Sequence, residues 1–300
     1  MKITDIKIFA AEYAQTSKSP TNKKWIFLKM ETDEGIHGWG EVGSSVNVSE
    51  NFMATAIKEV APQLIGENPM DTDRLWNKIF RMFSYMGSRG FTTSLTAGFD
   101  IALWDIKGKV SGLPVYDLLG GRYRDPIRLY CNAWFNGCFT PEEYANAAKV
   151  NVLENGHNAC KLDPFLEMTQ FHTMYQDGFI SEEGEQLGYD IVAAVREVVG
   201  PEIEILIDAH GHYNVPNAIR ISNNLYERFN IAWFEEPVPP EGINALKQVK
   251  ENTMAPICVG ERLYTRADFI PILENNLADY IMPDTVWTGG ISEIKKIASM

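Results

Sequence analysis

Residues Ala232–Pro240 read AWFEEPVPP, an apolar run that ends on two adjacent carboxylates, Glu235 and Glu236, and is closed by Pro237. A short apolar run without alternation is the pattern of a parallel strand buried on both faces. Proline cannot continue such a ladder, so the strand stops there and holds its acids out at the tip. The same arrangement recurs on both sides. LIDAHG ends an apolar run on Asp208, VGER ends one on Glu261, and IMPD ends one on Asp284. Two further runs, IRLYCNAW and NACKL, lie upstream. Between the runs lie segments with helical periodicity: PEEYANAAKVNVLENG, GYDIVAAVREVVG, VPNAIRISNNLYERF, INALKQVKE, ADFIPILENN and ISEIKKIAS. Six strand–helix units in series predict a β/α barrel of the TIM type rather than an open sheet. One longer interval, DPFLEMTQFHTMYQDGFIS, follows the second run and falls on the loop side where barrels build their sites.

Residues 1–125 have a different character. KITDIKIFAAEY and KKWIFLKMETDEGIHGWGEV alternate as strands, and FMATAIKEVAPQLIG, DTDRLWNKIFRMFSYM and SLTAGFDIALWDIKGKVSG read as helices. Asp71 and Thr93 are the expected N-caps of the second and third helices, and Gly112-Leu113-Pro114 ends the third. The expected division is an N-terminal α+β domain over 1–125 and a barrel domain over 126–300.

Composition narrows the function. Twenty-seven basic against 40 acidic residues leave a net charge of −13, which argues against nucleic acid as the partner. An anionic substrate stays compatible, because a bound cation inverts the local field. No run is long enough to span a membrane, and the N-terminus alternates like a strand instead of carrying a secretory signal. The four cysteines, Cys131, Cys138, Cys160 and Cys258, form no CxxC pair and are expected to be reduced, as in a cytoplasmic protein.

The acids at the strand ends carry the chemistry. Asp208, Glu235 and Glu261 are 27 and 26 residues apart, one β/α unit each, so the same position on three successive strands holds a carboxylate. Three neighbouring carboxylates repel unless a cation neutralises them, and an all-oxygen set with open positions favours Mg²⁺. Glu236 either supports that site or faces another strand. His210 lies two residues beyond Asp208, on the same side if the segment is extended, where an imidazole can move a proton near neutral pH. Lys161, ending NACKL, is a base if its pKa is depressed and otherwise steadies an anion. Arg262 can grip a carboxylate in two-pronged fashion. Asn132, Trp134 and His172 are candidate substrate contacts, as are Phe165, Phe171 and Tyr175.

IDAHG, WFEEP, VGERLYTR and IMPD, in that order on consecutive units, resemble the enolase superfamily, mandelate racemase subgroup. ALWDIKGKVSGLPVYDLLGG also resembles that subgroup's junction between capping domain and barrel. DAHG with GERLYTR is most similar to the galactonate and gluconate type of acid-sugar dehydratase. The resemblance implies Mg²⁺ on Asp208, Glu235 and Glu261, a cap over residues 1–125 whose SKSPTN and GSSVNVSEN loops close on substrate, and removal of the proton α to a carboxylate through an enediolate. It implies that His210 protonates the departing 3-hydroxyl, giving a 2-keto-3-deoxy acid, and that Asp284 orients a histidine one unit further on. It also implies a symmetric homo-oligomer. Two departures stand out. Where the subgroup often has Lys-x-Lys, this chain has Lys161-Leu162-Asp163. The strand-seven histidine would lie beyond Met300, so the expectation is a barrel lacking its last units in this chain, which is either cut from a longer protein or completed by another segment. The leading expectation is a Mg²⁺-dependent hydro-lyase acting on an aldonate or aldarate. The alternatives are an epimerase or cycloisomerase of an acid sugar or its lactone, and a non-catalytic protein that binds sugar acid and metal.

Overall fold

The computed structural model describes residues 1–12, 24–43, 50–169 and 177–300. In chain order, β1 (Ile3–Glu12), β2 (Lys24–Thr32) and β3 (His37–Val42) precede α1 (Glu50–Val60), α2 (Thr72–Met82), α3 (Phe91–Ser111), α4 (Val115–Leu118) and α5 (Pro141–Ala148). Then follow β4 (Ala159–Leu162), α6 (Leu166–Thr169), α7 (Glu182–Val199), β5 (Glu204–Asp208), α8 (Val215–Phe229), β6 (Trp233–Glu235) and α9 (Ile243–Asn252). The remaining elements are β7 (Ile257–Val259), α10 (Thr265–Glu274), β8 (Tyr280–Ile281), α11 (Thr285–Thr288) and α12 (Ile291–Ser299). The chain divides into two compact units, one of Met1–Asp125, Glu261–Ile270 and Pro283–Met300, the other of Pro126–Gly260 and Pro271–Met282.

In the first unit β1, β2 and β3 form an antiparallel meander. Its apolar face, with Ile26, Leu28, Met30 and Val42, meets Leu95, Phe99, Leu103 and Ile106 of α3. Each such side chain, fully buried, stabilises by about 1.5–3 kcal/mol. Strand and helix come close because glycines face each other: a Cβ on Gly40 would lie 1.8 Å from the Gly98 carbonyl oxygen. The C-terminal helices are tied into this unit by polar contacts. Trp76 Nε1 donates to the Gly289 carbonyl at 2.6 Å, and Lys296 pairs with Asp73 at 2.6 Å. Asp100, buried in α3, accepts from the Ser292 backbone N–H at 2.9 Å and from its hydroxyl at 2.6 Å. Gly290, at the N-cap of α12, has no side chain to offer, so Asp100 caps that helix from a distance.

In the second unit the parallel ladder runs β4-β5-β6-β7-β8. Among the described residues no ladder joins β8 back to β4. Its helices begin on side-chain caps. Thr140 and Glu143 form a reciprocal capping box on α5, Ser181 accepts from Gly184 N–H on α7, and Asn214 accepts from Asn217 N–H on α8.

Several sequence expectations need correction. The first barrel run, IRLYCNAW, makes one parallel bridge, Cys131 to Cys160, instead of a strand. Ala133, at φ 55°, turns the chain directly after Asn132, and Ile127 and Leu129 are exposed instead of packed. Asp71 stands at the N-cap of α2 but its carboxylate takes the Arg74 guanidinium, at 3.0–3.1 Å, and not a helix amide. Thr93 lies inside the first turn of α3, its hydroxyl donating to the carbonyl of the actual N-cap, Gly90. Gly112 closes that helix at φ 66° as expected. Among the described residues no disulfide joins the four cysteines, and Cys160 and Cys258 are buried. Among the described residues no helix is long and apolar enough to cross a membrane.

Candidate active site

The parallel register puts Asp208 of β5 directly beside Glu235 of β6, at the last rung of both strands. Both are buried, Asp208 3% exposed and Glu235 0%. Equal sequence spacing predicts the same rung for the third acid, and here the structure differs. Glu235 is paired with Cys258 of β7, and Glu261 comes three residues later, after Gly260 at φ 140°. The loop length between strands fixes the repeat but not the stagger, and a parallel sheet curling toward a barrel is staggered.

Lys161, from β4, reaches between the first two acids. Its Nζ donates to Asp208 Oδ2 at 2.7 Å and to Glu235 Oε1 at 2.9 Å. Burial opposes the lysine's charge, but the charges and hydrogen bonds of the two carboxylates outweigh burial and raise its pKa. The route expected for a lysine base, a depressed pKa, is therefore reversed: Lys161 is held protonated as the countercharge of the pair. Burial likewise works against ionised Asp208, and the charges on His210 and Lys161 with their hydrogen bonds lower its pKa overall. Trp233 Nε1 donates to Glu235 Oε2 at 3.1 Å, so both oxygens of that carboxylate are oriented.

His210 is not in the extended conformation that its spacing suggested. Its φ is 47°, in the left-handed region, and Glu236 follows Glu235 at φ 46°. Such residues cost about 1 kcal/mol or more apiece and are held by their surroundings. The His210 backbone N–H donates to Asp208 Oδ1 at 3.1 Å, and its ring Nδ1 lies 3.4 Å from that oxygen. The same Nδ1 is 2.8 Å from Asp163 Oδ2. The imidazole thus stands beside Asp208, by a chain reversal instead of strand alternation. Glu236 turns toward the neighbouring strand and supports the tips: its carboxylate accepts from Gly260 N–H at 3.0 Å and its carbonyl from Gly211 N–H at 2.6 Å.

The other expected residues are placed as follows. Trp134 is buried, with Nε1 donating to the Lys161 carbonyl at 2.9 Å, and it packs on Phe135 and Tyr144. Asn132 is exposed and its Oδ1 accepts from Ala133 N–H. Phe165 is buried between Tyr189 and Tyr213. Asp284 caps α11, accepting from Val286 N–H at 2.8 Å. Glu261 and Arg262 are half-buried in the segment leading to α10. His172, Phe171, Tyr175, the SKSPTN loop and most of GSSVNVSEN lie outside the described residues. Sequence reading missed Asp163 as a functional residue. It noted the position only for the lysine it lacked. A buried acid two residues after Lys161, and so on the same side of β4, was the available signal.

The donor chemistry fits a hard divalent cation. Two buried carboxylates share one rung, and an ammonium already demands that both be ionised.

Comparison with known proteins agrees with this geometry. Residues 143–300 match the enolase C-terminal domain-like family and residues 5–120 match the mandelate racemase/muconate lactonizing enzyme N-terminal domain. The chain belongs to the enolase superfamily, and its fold is an N-terminal capping domain with a C-terminal α/β barrel. It is 36% identical to a D-galactonate dehydratase of Pectobacterium atrosepticum, over 92% of this chain and 68% of the relative. It is 31% identical to a D-galactarolactone cycloisomerase of Agrobacterium fabrum, over 100% of this chain and 75% of the relative. A solved structure of an enolase superfamily member from Salmonella Typhimurium matches with a TM-score of 0.88 and 34% identity, over 100% of this chain and 77% of that one. Dehydratases are hydro-lyases, and relatives named for D-xylonate and D-gluconate are dehydratases too.

Proposed function

We propose that the chain is a Mg²⁺-dependent dehydratase of a sugar acid, converting an aldonate or aldarate to its 2-keto-3-deoxy acid. The observation that carries this reading is the rung of Asp208 and Glu235 with His210 folded back beside it. Asp208, Glu235 and Glu261 would hold the Mg²⁺, which supplies positive charge where the substrate carboxylate becomes more negative as the C2 proton leaves. Lys161 adds a fixed positive charge at the same place, and Arg262 is assigned to the substrate carboxylate. His210 gives a proton to the C3 hydroxyl, so that the C3–O bond breaks with loss of water and the double bond forms between C2 and C3. The enol so formed takes a proton at C3 and becomes the 2-keto acid. Because His210 is the acid, the base at C2 is another group, and proton exchange at C2 is separable from water loss. Asp284 belongs to this proposal as the residue that orients a base. In the same reading the site works in the cytoplasm, on a small molecule, within a homo-oligomer.

The similarity to a cycloisomerase supports a second reading, proton removal from a sugar lactone without dehydration. Proton NMR in D₂O with Mg²⁺ and a panel of aldonates, aldarates and their lactones separates the two. The expected result is a 2-keto-3-deoxy product from one sugar acid. Ring opening or epimerisation without water loss would favour the second reading, and no turnover of any panel member would overturn both.

A further inference from the structure

Asp163 stands where the subgroup's second lysine would stand, and its side chain is turned onto His210. It is buried. Its Oδ2 lies 2.8 Å from His210 Nδ1, and its carbonyl accepts from the Tyr144 hydroxyl at 3.3 Å. The residue is therefore fixed at both ends, by β4 through the chain and by α5 through Tyr144. His210 itself is 35% exposed.

We propose that Asp163 is the positioning residue of His210. An acceptor at Nδ1 requires a hydrogen there, so any proton exchanged with a substrate passes through Nε2. The inference rests on the dehydratase reading for its kinetic consequence, while the ring geometry stands without it.

The variants are Asp163→Asn and Asp163→Leu in the full chain, with two readouts. The first is ¹⁵N–¹H NMR of the His210 imidazole at about pH 8, where an ordinary histidine is neutral. Wild type is expected to carry its hydrogen on Nδ1. Asp163→Asn can instead donate to Nδ1, and either variant is expected to move the hydrogen to Nε2 or to scramble the tautomers. The second readout compares dehydration with C2 proton exchange in D₂O. Dehydration kcat is expected to fall by about a hundredfold or more, with KM and exchange close to wild type. An Nδ1–H signal that persists in both variants overturns the proposal. So does an equal loss of exchange and dehydration, which marks general damage. If wild type turns over no sugar acid, the dehydratase reading fails, and the tautomer measurement alone decides whether Asp163 sets the ring.

Discussion

Asp100 in the first unit and Asp208 in the second are both buried aspartates, 1% and 3% exposed, and they meet burial in opposite ways. Asp100 is surrounded by neutral donors, the Ser292 N–H and hydroxyl, while the charges of Lys296 and Asp73 act on it only at a distance. Burial dominates and pushes its pKa up to about 7. Asp208 has an ammonium at 2.7 Å and an imidazole at 3.4 Å, and these overturn the same burial penalty. One acid is solved by keeping a proton, the other by keeping a cation. A buried carboxylate is thus no sign of a site by itself. The cation drawn in with it is.

The sharpest way to break this contrast is to remove the cation. Lys161→Met leaves two adjacent carboxylates buried without their countercharge, and stability is expected to fall by about 3–5 kcal/mol in urea unfolding at neutral pH. A loss below about 1 kcal/mol would mean that Lys161 does not balance the pair. Next in size is the pH dependence of Asp100. Its folded pKa is raised from 3.8 to about 7, so between those values the folded state binds more protons than the unfolded state. Its contribution is therefore fully present below pH 4 and is lost as pH rises to about 7, on the order of 4 kcal/mol in all. Asp100→Asn keeps the shape and cannot ionise. It is expected to be more stable than wild type at pH 8 and about equal at pH 4, and equal stability at both would refute the raised pKa. The smallest effect concerns neither acid and calibrates both. Thr140→Ala removes half of the exposed capping box on α5 and is expected to cost about 1 kcal/mol, independent of pH from 6 to 9.

The two units differ also in how much of them could be read from sequence. Helical periodicity located α8, α9 and α12 to within a residue or so, because apolar stripes mark a helix through its whole length. The apolar runs located β4 to β8, and the WFEEP and LIDAHG acids fell on one rung as expected. What failed was local backbone geometry. Nothing in NAW announces that Ala133 turns left-handed and ends the first run, nor in DAHG that His210 does the same. Caps failed similarly: Asp71 was drawn to Arg74, an exposed partner that competes with the helix amides. The role of Asp163 was missed for another reason. Its partner, His210, is 47 residues away, and only the parallel pairing of β4 with β5 brings the two together.

The bonds from Trp76 to Gly289, from Trp104 and Asp100 to Ser292 and from Lys296 to Asp73 span 188 to 223 residues of chain. A ribosome delivers α2 and α3 long before it delivers α12. The first helices to be made therefore wait, with the Trp76 indole and the Asp100 carboxylate unsealed, until about two hundred further residues have emerged. For that interval the exposed faces of the first unit are open to chaperones or to aggregation.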